Sequence, residues 1–279
     1  MIEFIDSYFF AEVSAIPYAI LRICFGFLVL FTLVDFIMGY ELMCPTDEGG
    51  LVLNRGSSIY AYPTIFKRFN CPYKVFLLLW LICSICIIIG FFSIVFLMLL
   101  FYLNQSSRSY ARGISGGSDQ CCAIFSFWLI FSNPDQCYSV TNLLFPGDGI
   151  FMTTPYAGRG FVANCCLFYC VSVPLKFKGS GWRNGMAVWN VMNFPDRHKW
   201  RWPVNFLRNK IWLIKACTYY VLVVEFLTPI GFFVKPLIPI WVFLLFCMHI
   251  GIELTMFVGT FGYYMFAFLT FLFLTYLYW

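Results

Sequence analysis

The chain has 279 residues, of which 61% are hydrophobic, 22% aromatic and only 11% charged, with a net charge of +5 and a mean hydropathy of +0.81. Soluble domains carry about 25% charged residues, so the composition excludes a soluble globular enzyme and points to an all-α integral membrane protein. The positive surplus fits loops that meet the cytoplasm or anionic lipid, and nucleic acid is not expected as a partner.

The first residues, MIEFIDSYFFAE, place Glu3, Asp6 and Glu12 where a secretory signal would be basic, so no cleavable signal peptide is expected. A membrane-spanning helix needs about 20 apolar residues, with a range of roughly 17 to 25. Residues 16–39 meet this and carry Arg22 near the start and Asp35 near the end. The apolar run 73–103 is too long for one ordinary span, and Gly90-Phe91-Phe92-Ser93 divides it into a helical hairpin. Residues 104–137 follow with a polar, Gly-rich turn that carries one acid, Asp119, and runs into an aromatic stretch over 119–132 that is short for a span. Residues 160–175 are again short, while 211–234, 236–258 and 261–279 are ample. The sum is a polytopic bundle of about eight transmembrane helices with short loops, forming one domain over 1–279.

The basic residues test this count. With eight spans, fourteen of the 18 Lys and Arg residues fall on one side, in the loops 40–74, 104–118 and 176–210. Reading 73–103 as a single span would scatter them, so the positive-inside asymmetry supports the hairpin. Residues 182–202 interleave Trp182, Trp189, Trp200 and Trp202 with Arg and Lys, as in an amphipathic segment lying in the membrane interface. Most of the 13 cysteines lie inside apolar runs and act there as small hydrophobes. No metal site is expected; a Cys44–Cys71 bridge requires that loop to lie outside the cytoplasm.

A charge at membrane depth costs about 2.5–3.5 kcal/mol even on the lenient insertion scale, so each intramembrane charge is a candidate for function. Arg22 and Asp35 either snorkel separately or face the bundle interior together. His249 and Glu253 stand at i and i+4 on one helix face, as a structural pair, an acid/base pair or a polar wall for a cofactor. Glu225 precedes Pro229 by four residues. Lys176 stands at the end of the 160–175 run with Lys178 and Trp182 close behind, and is either a topological anchor or a base whose desolvation favours the neutral amine.

Five stretches resemble one family: Leu21-Arg22-Ile23-x-x-Gly26 with Asp35; Thr46-Asp47-Glu48-Gly49-Gly50; Gly116-Gly117-x-Asp119; Leu175-Lys176-x-x-Gly179-x-x-Trp182-x-x-Gly185; and Glu225-x-x-x-Pro229 with His249-x-Gly251. Together they resemble the HTTM family, the transmembrane domain shared with vitamin K-dependent gamma-carboxylase, and within it the short chains of the sporulation-delaying protein B type. The resemblance implies a membrane component that assists maturation or export of a small antimicrobial peptide, together with a separate partner protein. It implies Lys176 as the base, with Lys178 as the second match. Asp119, Lys176, Glu225, His249 and Glu253 would line a polar cavity, with Asp119 or the His249/Glu253 pair orienting the base, and Arg22, Asp35, Lys178 and Trp182 would line it as well or be structural. A quinone or hydroquinone is the cofactor that the carboxylase relatives imply. Gly117-Ser118-Asp119 stands where those relatives have a histidine.

Overall fold

The computed structural model describes residues 2–38, 73–110, 116–146, 151–194, 201–256 and 258–279. The Thr46–Gly50 motif, Cys44, Cys71, Arg197, Lys199 and Trp200 lie outside the described residues. Helix dominates throughout, as apolar surroundings demand, because a helix satisfies its own backbone donors and acceptors. The all-α class therefore stands. Five helical stretches are long and apolar enough to cross a membrane by length and composition: Ile16–Met38, Tyr156–Lys178, Ile211–Phe233, Lys235–Thr255 and Phe261–Tyr278.

The chain forms two compact units, residues 1–159 with 278–279, and residues 160–277. The first contains α1 (Ile2–Phe10), strand β1 (Val13–Ser14), α2 (Ile16–Met38), α3 (Tyr73–Ile89), α4 (Ser93–Tyr110), α5 (Gly117–Ile130), α6 (Val140–Leu144) and strand β2 (Met152–Thr153), and it ends in the first turn of α7 (Tyr156–Lys178). Helix α2 packs on α3 and α5, and α4 packs on α3 and α5. Phe25 stacks on Phe125 with ring centroids 5.6 Å apart, and the indole of fully buried Trp80 donates to the Val29 carbonyl at 2.9 Å. The two short strands pair antiparallel, Val13 opposite Thr153 and Ser14 opposite Met152. Trp279 donates its indole N–H to the Ser14 carbonyl at 3.0 Å.

The run 73–103 does break at Gly90–Ser93. Helix α3 ends at Ile89, and the turn uses left-handed backbone at Gly90 (φ 71°) and Phe92 (φ 44°). Helix α4 then starts on a cap that comes from another loop. The Asp135 carboxylate accepts the Ser93 backbone N–H at 2.7 Å and the Ser93 hydroxyl at 2.5 Å.

The second unit holds α7 from Gly160 onward, α8 (Ser180–Arg183), α9 (Ala187–Met192), α10 (Arg201–Leu207), α11 (Ile211–Phe233), a 3-10 turn (Lys235–Leu237), α12 (Ile238–Thr255) and, as far as Leu277, α13 (Phe261–Tyr278). Its core gathers Phe161, Phe232, Phe268 and Phe271, with Phe161 and Phe268 edge to face at 5.0 Å. Helices α11 and α12 form a hairpin in which the Trp241 ring lies over Gly231, so close that a Cβ there would enter the ring.

Two helices outrun their expected apolar stretches: α4 continues to Tyr110, past residue 103, and α7 is longer at both ends. Residues 160–175 read as a short run, but α7 has 23 residues. Pro174 lacks only the N–H that would have reached the Cys170 carbonyl, and a helix held by packing tolerates that loss near its end. At the other end, the Arg159 N–H reaches the Pro155 carbonyl at 2.9 Å and starts the helix before the expected apolar run. In its described part the segment 182–202 is divided, with α8 and α9 as separate short helices.

Candidate functional site

In the second unit, α7 and α11 bring two charges together. The Lys176 ammonium donates to both carboxylate oxygens of Glu225. The Glu225 side chain is 7% exposed and that of Lys176 22%. The Trp182 ring faces the ammonium, its centroid 5.0 Å from Nζ. Desolvating two such charges costs several kcal/mol, which only close geometry and additional partners offset. A bidentate contact with an aromatic face beside it meets that condition.

Local sequence explains the arrangement. Pro229 has no N–H for the Glu225 carbonyl, so α11 is loosened one turn after the acid. Lys176 lies in the last turn of α7, where a cation complements the helix dipole. The Gly179 N–H caps the Lys176 carbonyl at 3.0 Å and turns the chain into α8, which carries Trp182.

A second polar contact uses the same two-turn stretch of α7. Tyr169, seven residues before Lys176 and 2% exposed, places its hydroxyl 3.3 Å from His249 Nε2 on α12. His249 is itself 2% exposed and meets the edges of Phe261 and Phe266. Its Nδ1 has no hydrogen-bond partner among the described residues. Glu253 lies one turn further along α12 with its carboxyl group against Gly262 of α13. Lys178 is exposed.

Asp119, Arg22 and Asp35 belong to the first unit. Asp119 is the third residue of α5, and its carboxylate accepts the Gly116 backbone N–H at 2.9 Å, closing the helix N-terminus. Its own carbonyl accepts from the Asn104 amide at 2.9 Å. Arg22 is fully buried, whereas Asp35 is exposed, so the two do not share one interior face. The partners of Arg22 are backbone. Nε donates to Pro134 (3.1 Å), Nη1 to Ile87 (2.7 Å) and Ile88 (3.0 Å), and Nη2 to Tyr138 (2.5 Å), while Asp135 lies 3.7 Å from Nε.

Sequence reasoning missed Tyr169 and Asp135. Asp135 was detectable as the lone acid in a stretch facing one buried cation. Tyr169 carried no signal among so many aromatic residues. No family model, curated protein or solved structure matches this chain.

Proposed function

We propose that this chain is a multi-pass protein of the cell membrane in which α3, α4 and α5 cross the bilayer beside the five long helices, for about eight spans. It assists maturation or export of a small antimicrobial peptide, working with a separate partner protein. The observation that carries this reading is the Lys176–Glu225 pair: two opposite charges held between two apolar helices, where a purely structural bundle would use apolar contacts. The resemblance of five stretches to the HTTM family is what points to a peptide as substrate, and two of those stretches contain the members of this pair.

In a catalytic reading, Lys176 is the base and Glu225 sets its proton. As an ammonium bonded to a carboxylate, Lys176 cannot accept a proton. To act as a base it must first give up a proton, and the Glu225 carboxylate in contact with it is the acceptor at hand. Approach of a peptide to the Trp182 side would exclude water and make that transfer easier. A quinone or hydroquinone oxygen would find a buried partner at His249 Nδ1, the residue that would hold such a ring.

The test is mass spectrometry of secreted peptides from cells with the wild-type chain, without it, and with Lys176→Ala. A peptide whose covalent mass changes only when Lys176 is intact makes the protein an enzyme. A peptide of unchanged mass that stays inside the cell makes it an export factor. Identical peptide profiles in all three strains would sink both readings.

A further inference from the structure

The segment between α5 and β2 has the wrong surface for a loop in water. Tyr138 is 65% exposed, Leu143 80%, Leu144 56% and Phe145 65%, and the neighbouring turn of the α3–α4 hairpin adds Phe92 at 43%. Residues 131–146 contain one charge, Asp135, and Ser93 and Arg22 already engage it. Ordinary loops expose polar side chains and leave their backbone to the solvent.

This loop instead satisfies its backbone from within. Arg22 takes the carbonyls of Pro134 and Tyr138. The Ser139 hydroxyl donates to the Asp135 carbonyl at 2.6 Å and accepts the Asn142 N–H at 3.0 Å. The Leu143 and Phe145 N–H groups reach Ser139 (3.3 Å) and Thr141 (2.9 Å). Thr141 binds the loop to the hairpin turn: its N–H and hydroxyl both donate to the Gly90 carbonyl, at 3.0 and 2.8 Å, and its Oγ1 accepts the Phe92 N–H at 2.7 Å. The exposed apolar part is built on α6 (Val140–Leu144), whose helical backbone bonds itself, while the irregular stretch before it is covered by Arg22, as irregular backbone at membrane depth must be covered by protein.

We infer that residues 138–145 form a membrane-embedded loop whose apex, Leu143 to Phe145, lies among the lipid acyl chains just below the head groups. The inference rests on the membrane-spanning reading above. The occupant of this apolar surface is lipid because the surface is continuous with that of the hairpin: Phe92 and Phe145 have ring centroids 6.1 Å apart, and the turn carrying Phe92 joins exposed apolar side chains of α3 and α4 such as Ile89 and Val95, the helices that the proposal above sends across the bilayer. Arg22 gains a role that a lone charge in a span lacks. It supplies hydrogen bonds that water cannot deliver at that depth.

The experiment places a nitroxide-bearing amino acid at position 143 of the full chain in phosphatidylethanolamine/phosphatidylglycerol nanodiscs. Collision rates with oxygen and with a water-soluble nickel chelate are then compared. A second label at position 31, where Phe31 is 61% exposed in the middle of α2, serves as a lipid reference. Position 143 is on the surface, so the label leaves the fold undisturbed. The expected result is loss of nickel collisions and high oxygen collisions at both positions. Free nickel access at 143 with position 31 shielded overturns the embedded loop alone. Nickel access at both positions means that the membrane-spanning reading itself has failed. Shielding of 143 from nickel and oxygen alike means that protein covers the loop, and this also overturns the inference.

Discussion

Arg22 stands where a side chain at position 90 would begin: a Cβ built on Gly90 would lie 2.5 Å from Arg22 Nη1. Gly90 also has φ 71°, a conformation that costs an L-residue roughly 1–2 kcal/mol. Gly90→Ala therefore meets backbone strain and displaces a buried guanidinium at once. It should lower stability by about 2 kcal/mol or more. Thermal unfolding of the purified protein in detergent measures this, and a midpoint unchanged from wild type would remove Arg22 from its place in the turn.

Arg22→Lys keeps the charge and loses the fork. A guanidinium spreads donors over three nitrogens, whereas an ammonium has three donors on one atom. Four carbonyls surround Arg22 here, from Ile87, Ile88, Pro134 and Tyr138. Each buried carbonyl left without a donor costs roughly 1–3 kcal/mol. The lysine variant should fall in abundance nearly as far as Arg22→Gln, as quantitative blotting of membrane fractions would show. Full abundance of the lysine variant would mean that charge alone suffices.

Part of this was legible before any coordinates. The length of the 73–103 run demanded a break, and Gly90–Ser93 supplied the only cluster of turn residues in it. Lys176, Glu225 and His249 were detectable because a polar residue in an apolar helix is costly. What periodicity cannot reveal is which charge meets which. Arg22 and Asp35 could both have faced the interior of the bundle, yet Arg22 is fully buried and Asp35 exposed, 13 residues further along α2. The real partners of Arg22 are backbone carbonyls, which carry no sequence signal. Asp119 looked like a charge held at membrane depth, whereas Gly116-Gly117-Ser118-Asp119 is equally a helix start with an acid at the third position.

Tyr169→Phe removes one oxygen atom and leaves the ring. His249 Nε2 then loses its hydroxyl partner at 2% exposure, in addition to an Nδ1 that has no partner among the described residues. The expected cost is about 1–2 kcal/mol in unfolding free energy, with peptide maturation or export reduced more than abundance. Comparing secreted peptide per unit of membrane protein separates the two. Equal loss of both would make the Tyr169–His249 contact structural.

The Lys176–Glu225 pair allows the sharpest separation of stability from function. Glu225→Gln leaves an ammonium facing an amide between α7 and α11. Removing one member of a fully buried pair costs roughly 3–5 kcal/mol, and because the Lys176 side chain is 22% exposed, about 2 kcal/mol is expected here. Exchanging the two, as Lys176→Glu with Glu225→Lys, restores opposite charges and should recover much of the abundance that either single change loses. The amine then sits on α11 instead of in the last turn of α7, away from its place beside Trp182. If the proton held by Lys176 does chemical work, the exchanged protein is abundant and inactive. If the pair only joins two helices, peptide output returns with abundance, and the candidate base is a structural clasp.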